Sequence, residues 1–264
     1  IIMTKLCTLF SGRSGNSTFI SNKDTNILID AGGTCKSICE KLSCINEDIK
    51  NIKAILLTHE HTDHIKALKV LTKRFKIPVF ARKEILEFLA DKELVHNETQ
   101  LFDIQNNFVL GDFNIHTFQT NHDSLSSIGY VLECGDNGKI GYATDLGVYS
   151  EEVKTALTGC KTVVLESNYD EAMLSCGSYP YVLKRRIMSN NGHLSNSDCA
   201  NAAKELAQNG TEHFILAHIS GENNYPDLAF QTTKSSIDLI GAKESVDYTL
   251  EVAPRNAISQ MVTV

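Results

Sequence analysis

The chain has 264 residues, 42% of them hydrophobic and 22% charged, which supplies a substantial core and suits one large domain or two small ones. A net charge of −7 counts mildly against broad nucleic-acid binding, and no apolar run approaches the roughly 18 to 20 residues a membrane span needs. The N-terminal stretch IIMTKLCTLF lacks the charged, apolar and small-residue regions of a secretory signal, so a soluble, cytoplasmic protein is expected.

The first third reads as strands and turns: KLCTLF, a polar loop SGRSGNS, then STFISN and TNILIDAG. KSICEKLSCI has apolar positions three and four apart, as in a helix, and IKAILL is a short buried strand. Ile65, Leu68, Leu71 and Phe75 then mark one face of a helix that Pro78 stops. IPVFA reads as a strand and KEILEFLADKEL as a helix, and residues 101–134 are strand-rich, with FNIHTF and IGYVLE alternating at period two. KIGYATD and TVVLES are strands that each end in an acid. NSDCANAAKELAQNG is a helix closed by Gly210, followed by the strand HFILAH, a last helix near 227–240 and the strand SVDYTLEVA. Strand units interrupted by helices, with polar residues where strands stop, predict sheets flanked by helices and a site along one edge.

Eight scattered cysteines form no C-x-x-C pair, so buried free thiols are expected rather than disulfides or a structural zinc site. The stretch LLTHEHTDHI carries His59, His61, Asp63 and His64 directly after a buried strand. Imidazole and carboxylate are the ligands of borderline metals, and a solvated polar loop gives no reason for so many at this spacing. H-E-x-x-H, G-x-S-x-G, the P-loop and the dinucleotide fingerprint are all missing. Further candidates stand at strand ends: His122, Asp145 and His218. The expected arrangement is His59, His61 and His122 around one ion and Asp63, His64 and His218 around another, with Asp145 shared. His96, His116 and His213 are expected to stand apart from it, and Glu60 to face solvent.

THEHTDH, a lone later His, TDLG and a late LAHIS together resemble the metallo-β-lactamase superfamily over almost the whole chain. The resemblance implies one domain spanning 1–264, an αββα sandwich, with Asp30 of ILIDAG supporting the histidine loop without binding metal. SGRSGNST, LIDAGGTCKSI, VLESNYDEAML, LKRRIMSNNGHLSN and HISGENNYPDLA further resemble the YycJ/VicX (WalJ) group, whose members are implicated in DNA metabolism. That implies a metal-dependent phosphodiesterase acting on nucleic acid as a 5′-to-3′ DNA exonuclease through a metal-activated hydroxide.

Two divalent ions are implied, manganese or zinc, with iron a third candidate. Glu166 and His193 resemble the pair with which ribonuclease Z-like relatives reach the scissile phosphate; a neighbouring carboxylate raises the pKa of an imidazole, so that at neutral pH it holds a proton to donate to the leaving 3′ oxygen. Asp63 would bind metal and orient the nucleophile. Lys184, Arg185 and Arg186 before His193, and Ser14, Asn16 and Ser17 in the first hairpin, are candidates for holding phosphate, while the basic run KALKVLTKRFK reads as a solvated face. With no inserted clamp domain, a DNA end would enter an open groove. A hydrolase of a small thioester, lactone or cyclic phosphodiester and an RNA-processing nuclease stay open as alternatives.

Overall fold

Short apolar strands, most of them buried along nearly their whole length, build two sheets. The computed structural model of the protein describes residues 4–135 and 138–264, so Ile1, Ile2 and Met3 of the N-terminal stretch lie outside the described residues. The first strands are β1 (Lys5–Gly12), β2 (Gly15–Asn22), β3 (Thr25–Ile29), β4 (Ile52–Leu56), β5 (Val79–Ala81) and β6 (Leu101–Asp103). Then come β7 (Asn107–Leu110), β8 (Phe113–Gln119), β9 (Ile128–Glu133), β10 (Lys139–Ala143), β11 (Thr162–Glu166), β12 (His213–Ala217), β13 (Thr249–Val252) and β14 (Val262–Thr263). One sheet has the order β14-β1-β2-β3-β4-β5-β6, antiparallel as far as β3 and parallel from β3 to β6. The other runs β13-β12-β11-β10-β9-β8-β7, parallel from β13 to β10 and antiparallel beyond.

The parallel strands carry continuous apolar runs because both their faces are covered. In β4, Ala54 and Leu56 enter the layer between the sheets with Tyr130, Ile140, Val164 and Ile215, whereas Ile55 and Leu57 face outward into a second cluster. That cluster is closed by α1 (Cys35–Cys44), α2 (Thr62–Ile65), α3 (Leu68–Phe75) and α4 (Lys83–Asp91) through Ile38, Ile65, Leu68 and Leu86. On the far sheet, Val163, Leu165, Phe214 and Leu216 meet α5 (Glu151–Leu157) through Val153 and Leu157. Beyond α6 (Glu171–Cys176) and α7 (Tyr181–Ile187), helices α8 (Asn196–Gln208) and α9 (Pro226–Asp238) complete that layer with Leu206 and Ile237. The layers are helix, sheet, sheet, helix: the expected αββα sandwich. No helix among the described residues is long and apolar enough to cross a membrane.

Several expectations need correction. The loop within the first hairpin is shorter than SGRSGNS, since Gly12 pairs with Gly15 and only Arg13 and Ser14 turn. The helix expected through Ile65 to Phe75 is broken, because the His64 carbonyl is taken by the Ala31 N–H at 2.7 Å and Ala67 donates to Ala31 at 2.9 Å. Strand β14 follows what read as the last strand, and α5, α6 and α7 sit where no helix was expected. Of the cysteines, Cys44 and Cys176 are exposed, although all eight are free thiols.

Ile215 lies in the layer between the sheets and is 1% exposed, so Ile215→Ala leaves a cavity that neither sheet can close. We expect a loss of about 2–5 kcal/mol in urea unfolding of the metal-free protein; a change under about 0.5 kcal/mol would show that the sheets do not pack through this residue.

Candidate metal centre

The residues in question stand where parallel strands stop. Asp30 follows β3, Thr58 to His64 follow β4, Asp145 follows β10, Glu166 ends β11 and His218 follows β12. In open α/β sheets this carboxyl-terminal edge is where ligands bind. Asp30, Asp145 and His218 are left-handed, with φ of 60°, 57° and 57°. Each such non-glycine residue costs of order 1–3 kcal/mol and persists where the surroundings over-determine it. Here it turns the chain sharply off the strand and aims the side chain along the edge.

Seven side chains named from the sequence converge there. His59, His61 and His122 form one group of possible ligands and Asp63, His64 and His218 another, the candidate atoms of each lying within 4.8 Å of one another. Asp145 stands between them, with one carboxylate oxygen 3.3 Å from His64 Nε2 and the other 3.8 Å from His122 Nε2 and 3.2 Å from His218 Nδ1.

The hydrogen bonds behind the rings decide which nitrogen is free. His122 Nδ1–H donates to the Gly192 carbonyl at 2.9 Å, and His218 Nδ1–H donates to Glu166 at 2.7 Å. His64 Nδ1–H donates to Asp30 at 2.8 Å. The Thr58 hydroxyl gives its one proton to Asp30 at 2.9 Å and so accepts from His59 Nδ1–H at 3.0 Å. Four rings are thereby fixed with Nδ1 as the donor and Nε2 as the atom left for a metal, the arrangement by which metal-binding imidazoles are oriented.

Two buried atoms show that a cation fits. His59 Nε2 and Asp145 Oδ2 have no hydrogen-bond partner among the described residues, the latter having only the His64 ring at 3.3 Å, and a buried acceptor without a hydrogen bond costs about 1–3 kcal/mol. Both are metal-ligand atoms that face the cluster. Charge agrees with this. Burial opposes a proton on His64, but Asp30 and Asp145 outweigh it and raise its pKa to about 9. His218 is lifted to about 10 against the same burial by Asp145 and Glu166. The negative potential that holds protons on these rings would hold cations in their place. His59 and His122 shift the other way, pushed down by burial.

Beside the cluster opens a cavity of about 470 Å³, lined among others by Arg13, Ser14, Arg186, His193, Arg255 and Asn256. Glu166 is fully buried and fully used: Oε1 accepts from His193 Nδ1–H at 2.9 Å and from His218, and Oε2 accepts from Leu146 and Leu194 N–H at 2.9 and 3.2 Å. Burial works against its ionisation, yet the His193 imidazole and its hydrogen bond bring its pKa down to about 2. Sequence reading connected Glu166 to His193 but missed its hold on His218 and on the backbone beside Asp145.

Other expectations shift. Asn16 is buried, with its amide nitrogen 3.2 Å from Asp63 Oδ2 and 3.0 Å from His64 Nε2 and its oxygen accepting from Gly12 N–H at 2.8 Å, so it orients the cluster and is not free for phosphate. Ser17 is likewise buried, donating to the Asp30 carbonyl at 2.9 Å. Of the basic triplet only Arg186 lines the cavity; Lys184 donates to the Ser175 carbonyl at 2.7 Å and Arg185 lies over the Tyr181 ring. Glu60 is half-buried and accepts from the Leu125 N–H at 2.9 Å, tying the His122 loop to the histidine loop. His96, His116 and His213 stand outside the cluster. Arg13 and Arg255 line the cavity unannounced: Arg13 sits within SGRSGNST, where only its polar neighbours were singled out, and Arg255 has no motif around it.

The model of the family described as "Beta-lactamase superfamily domain" matches residues 25–219. An exodeoxyribonuclease, YycJ, of Bacillus anthracis is 34% identical over 84% of this chain and 84% of its own length. An exodeoxyribonuclease, WalJ, of Streptococcus pneumoniae is 31% identical over 92% of both. Among solved structures, the metallo-beta-lactamase fold protein YhfI of Bacillus subtilis superposes with a TM-score of 0.74 over 97% of this chain and 99% of that one, at 15% identity, which bears on the fold alone.

Two outcomes test the centre. His64 and His218 hold protons at pH 7 in the metal-free protein, so loading Mn²⁺ or Zn²⁺ should release protons and tighten as pH rises toward about 9. Titration calorimetry in buffers of unequal ionisation enthalpy measures that release, and identical heats in both would refute it. A Cβ at Gly32 would lie 1.5 Å from the Asp63 carbonyl oxygen, so Gly32→Ala must displace the loop. Metal affinity should drop about 10-fold or more, read by equilibrium dialysis, with wild-type retention of both ions as the contrary result.

Proposed function

The chain belongs to the beta-lactamase superfamily, and from that membership and the site beside it we propose a metal-dependent phosphodiesterase that acts on nucleic acid, specifically a 5′-to-3′ DNA exonuclease. The observation that carries the reading is His193, held at Nδ1 by Glu166 and lining, with three arginines, the cavity beside the histidine–aspartate cluster. The two relatives named as exodeoxyribonucleases support the substrate class and the strand chemistry.

Two divalent cations, manganese in preference to zinc or iron, would be held by His59, His61 and His122 and by Asp63, His64 and His218 with Asp145 between, and would supply Lewis acidity and a water of lowered pKa. The protein does the rest. Glu166 takes the Nδ1–H of His193, so the opposite nitrogen faces the cavity and can carry the proton for the leaving 3′ oxygen. Asp63, 26% exposed at its side chain and steadied by the Asn16 amide, is placed to orient the attacking water. Asp145, with His64 and His218 close to its two oxygens, keeps the two halves of the cluster at a fixed separation. A thioester expels a thiolate, a far better leaving group than the 3′ alkoxide, and a dedicated proton donor has less to do there.

The cavity volume falls within the roughly 300–1,000 Å³ of small-ligand sites, so a small phosphodiester is the reading to exclude. End-labelled single- and double-stranded DNA, matching RNA, a generic phosphodiester, a thioester and a lactone are incubated with Mn²⁺- or Zn²⁺-loaded protein. We expect DNA to be shortened from the 5′ end, His193→Ala to lower kcat about 10²–10⁴-fold, and His61→Ala to lose at least about 10-fold in metal affinity. Intact DNA beside a consumed thioester or lactone sinks the nuclease reading, and degradation of RNA alone moves it to RNA processing. Full activity in His193→Ala removes the proton-donor role.

A further inference from the structure

The arginines lining the cavity are not equivalent. Arg186 is neutralised, its Nε donating to Asp123 Oδ2. Arg255 is half-buried, yet its guanidinium has no hydrogen-bond or ion-pair partner among the described residues. A cation withdrawn from water without a counter-charge is unfavourable, and such groups are paired or wait for an anion. Its place is also built. A Cβ at Gly221 would lie 2.4 Å from Arg255 Nη1 and one at Gly12 3.1 Å from its Cγ, so two glycines make room for the side chain. Ser11 ties it to the centre: its hydroxyl accepts from His218 N–H at 2.8 Å, and its own N–H donates to the Arg255 carbonyl at 3.5 Å.

The neighbours are donors. Arg13 is exposed at the hairpin turn and has no charged partner among the described residues. Ser14 Oγ donates to Asn256 Oδ1 at 3.0 Å, which leaves both amide hydrogens of Asn256 for something else. Ser220 Oγ accepts from Glu222 and Asn223 N–H at 3.3 and 3.2 Å, so its proton is free to donate. Glu222 also lines the cavity; it is exposed like Arg13 and screened to the same degree, which leaves the half-buried Arg255 as the uncompensated charge. Two planar guanidinium forks with amide and hydroxyl donors match the oxygens of a phosphate and offer little to a cation.

We propose that Arg255 and Arg13, with Ser220 and Asn256, form a second phosphate site that seats a phosphate of the nucleic acid next to the one being cleaved. This rests on the nuclease reading above, and it assigns to the rim by His218 the work that the sequence had suggested for Lys184 and Arg185. The phosphate is either the terminal monoester of a 5′-phosphorylated end or the diester adjoining the scissile bond.

Arg255→Gln and Arg13→Gln are compared with the parent on 5′-phosphorylated DNA, 5′-hydroxyl DNA and bis(p-nitrophenyl) phosphate, which has no second phosphate. For each variant we expect KM on DNA to rise about 10-fold or more and the preference for DNA over the small diester to fall by a similar factor. The slope of log KM against log salt should shrink by roughly 0.7–0.9 per arginine removed. A loss confined to the 5′-phosphorylated substrate identifies the monoester, and an equal loss on both DNAs identifies the diester. Arg255→Lys, which keeps the charge but not the fork, should recover part of the KM loss. If the parent degrades DNA while both Gln variants keep its KM and salt slope, the second site is wrong and the nuclease stands; if the parent degrades no nucleic acid, both fall.

Discussion

The centre is built on a carboxylate that reaches neither the cavity nor solvent. Asp30 is fully buried and accepts from Thr58 N–H, the Thr58 hydroxyl and His64 Nδ1–H at 2.9, 2.9 and 2.8 Å. Burial pushes its pKa up, and the His64 ring and the Thr58 hydrogen bonds pull it back only in part. Charge-assisted hydrogen bonds of this kind are worth roughly 1.5–3 kcal/mol each, which sets them against a desolvation penalty of several kcal/mol. The balance adds little net stability, but it admits one geometry. Asp30 N–H is itself bonded to the Leu56 carbonyl at 2.8 Å, so the loop after β4 is stapled to the end of β3 before it turns. From the opposite sheet, the Tyr130 hydroxyl donates to the Leu57 carbonyl and Ile128 N–H to that of Thr58 at 3.2 Å. The histidine loop is thus gripped from both sheets at its first residues.

The two halves of the cluster differ in charge. Around His59 and His122 burial dominates, and the rings are held neutral with free Nε2 atoms. Around His64 and His218 the carboxylates of Asp30, Asp63, Asp145 and Glu166 dominate, and the rings carry protons. A cation entering the first half meets ready lone pairs, whereas one entering the second must displace protons. Unequal affinities of the two half-sites follow from these charges and from the ligands themselves, three imidazoles in one half against two imidazoles and the Asp63 carboxylate in the other. Asp145 couples the halves, and its carboxyl is held well below the usual range, against its own burial, by the His218, His64, His59 and His122 rings.

Much of this was legible because ligand chemistry is dense in composition and short in sequence. Three histidines and an aspartate within six positions after a buried strand admit few other uses, and each lone partner, His122, Asp145 and His218, stands at a strand end. The fold was legible for the same reason: continuous apolar runs such as IKAILL and HFILA mark strands covered on both faces. What stayed hidden acts through backbone or through single residues. Helix α7 buries no residue and so has no apolar stripe to read. Helix α5 is seven residues long and is signalled only by Ser150, whose side chain caps Val153 N–H. Arg13 and Arg255 are far apart in sequence and become a pair only when the first hairpin meets the segment after β13. Asn16 looked like a phosphate donor because side-chain polarity is visible in sequence and burial is not.

Net charge misleads here for a physical reason. The chain is acidic as a whole, but a substrate approaching the cleft meets Arg13 and Arg255 beside an Arg186 already matched by Asp123, and at physiological salt charges beyond about 8 Å are largely screened. The acids that set the net charge are in part the same ones the centre requires: Asp30, Asp63, Asp145 and Glu166 are negative so that imidazoles, protons and cations can be held between them. A phosphate entering such a site needs positive charge at the rim and metal at the floor, and the protein separates the two. Carboxylates lie inside, where each is matched by histidine. Guanidinium lies at the mouth, where Arg255 and Arg13 stay unmatched until an anion arrives.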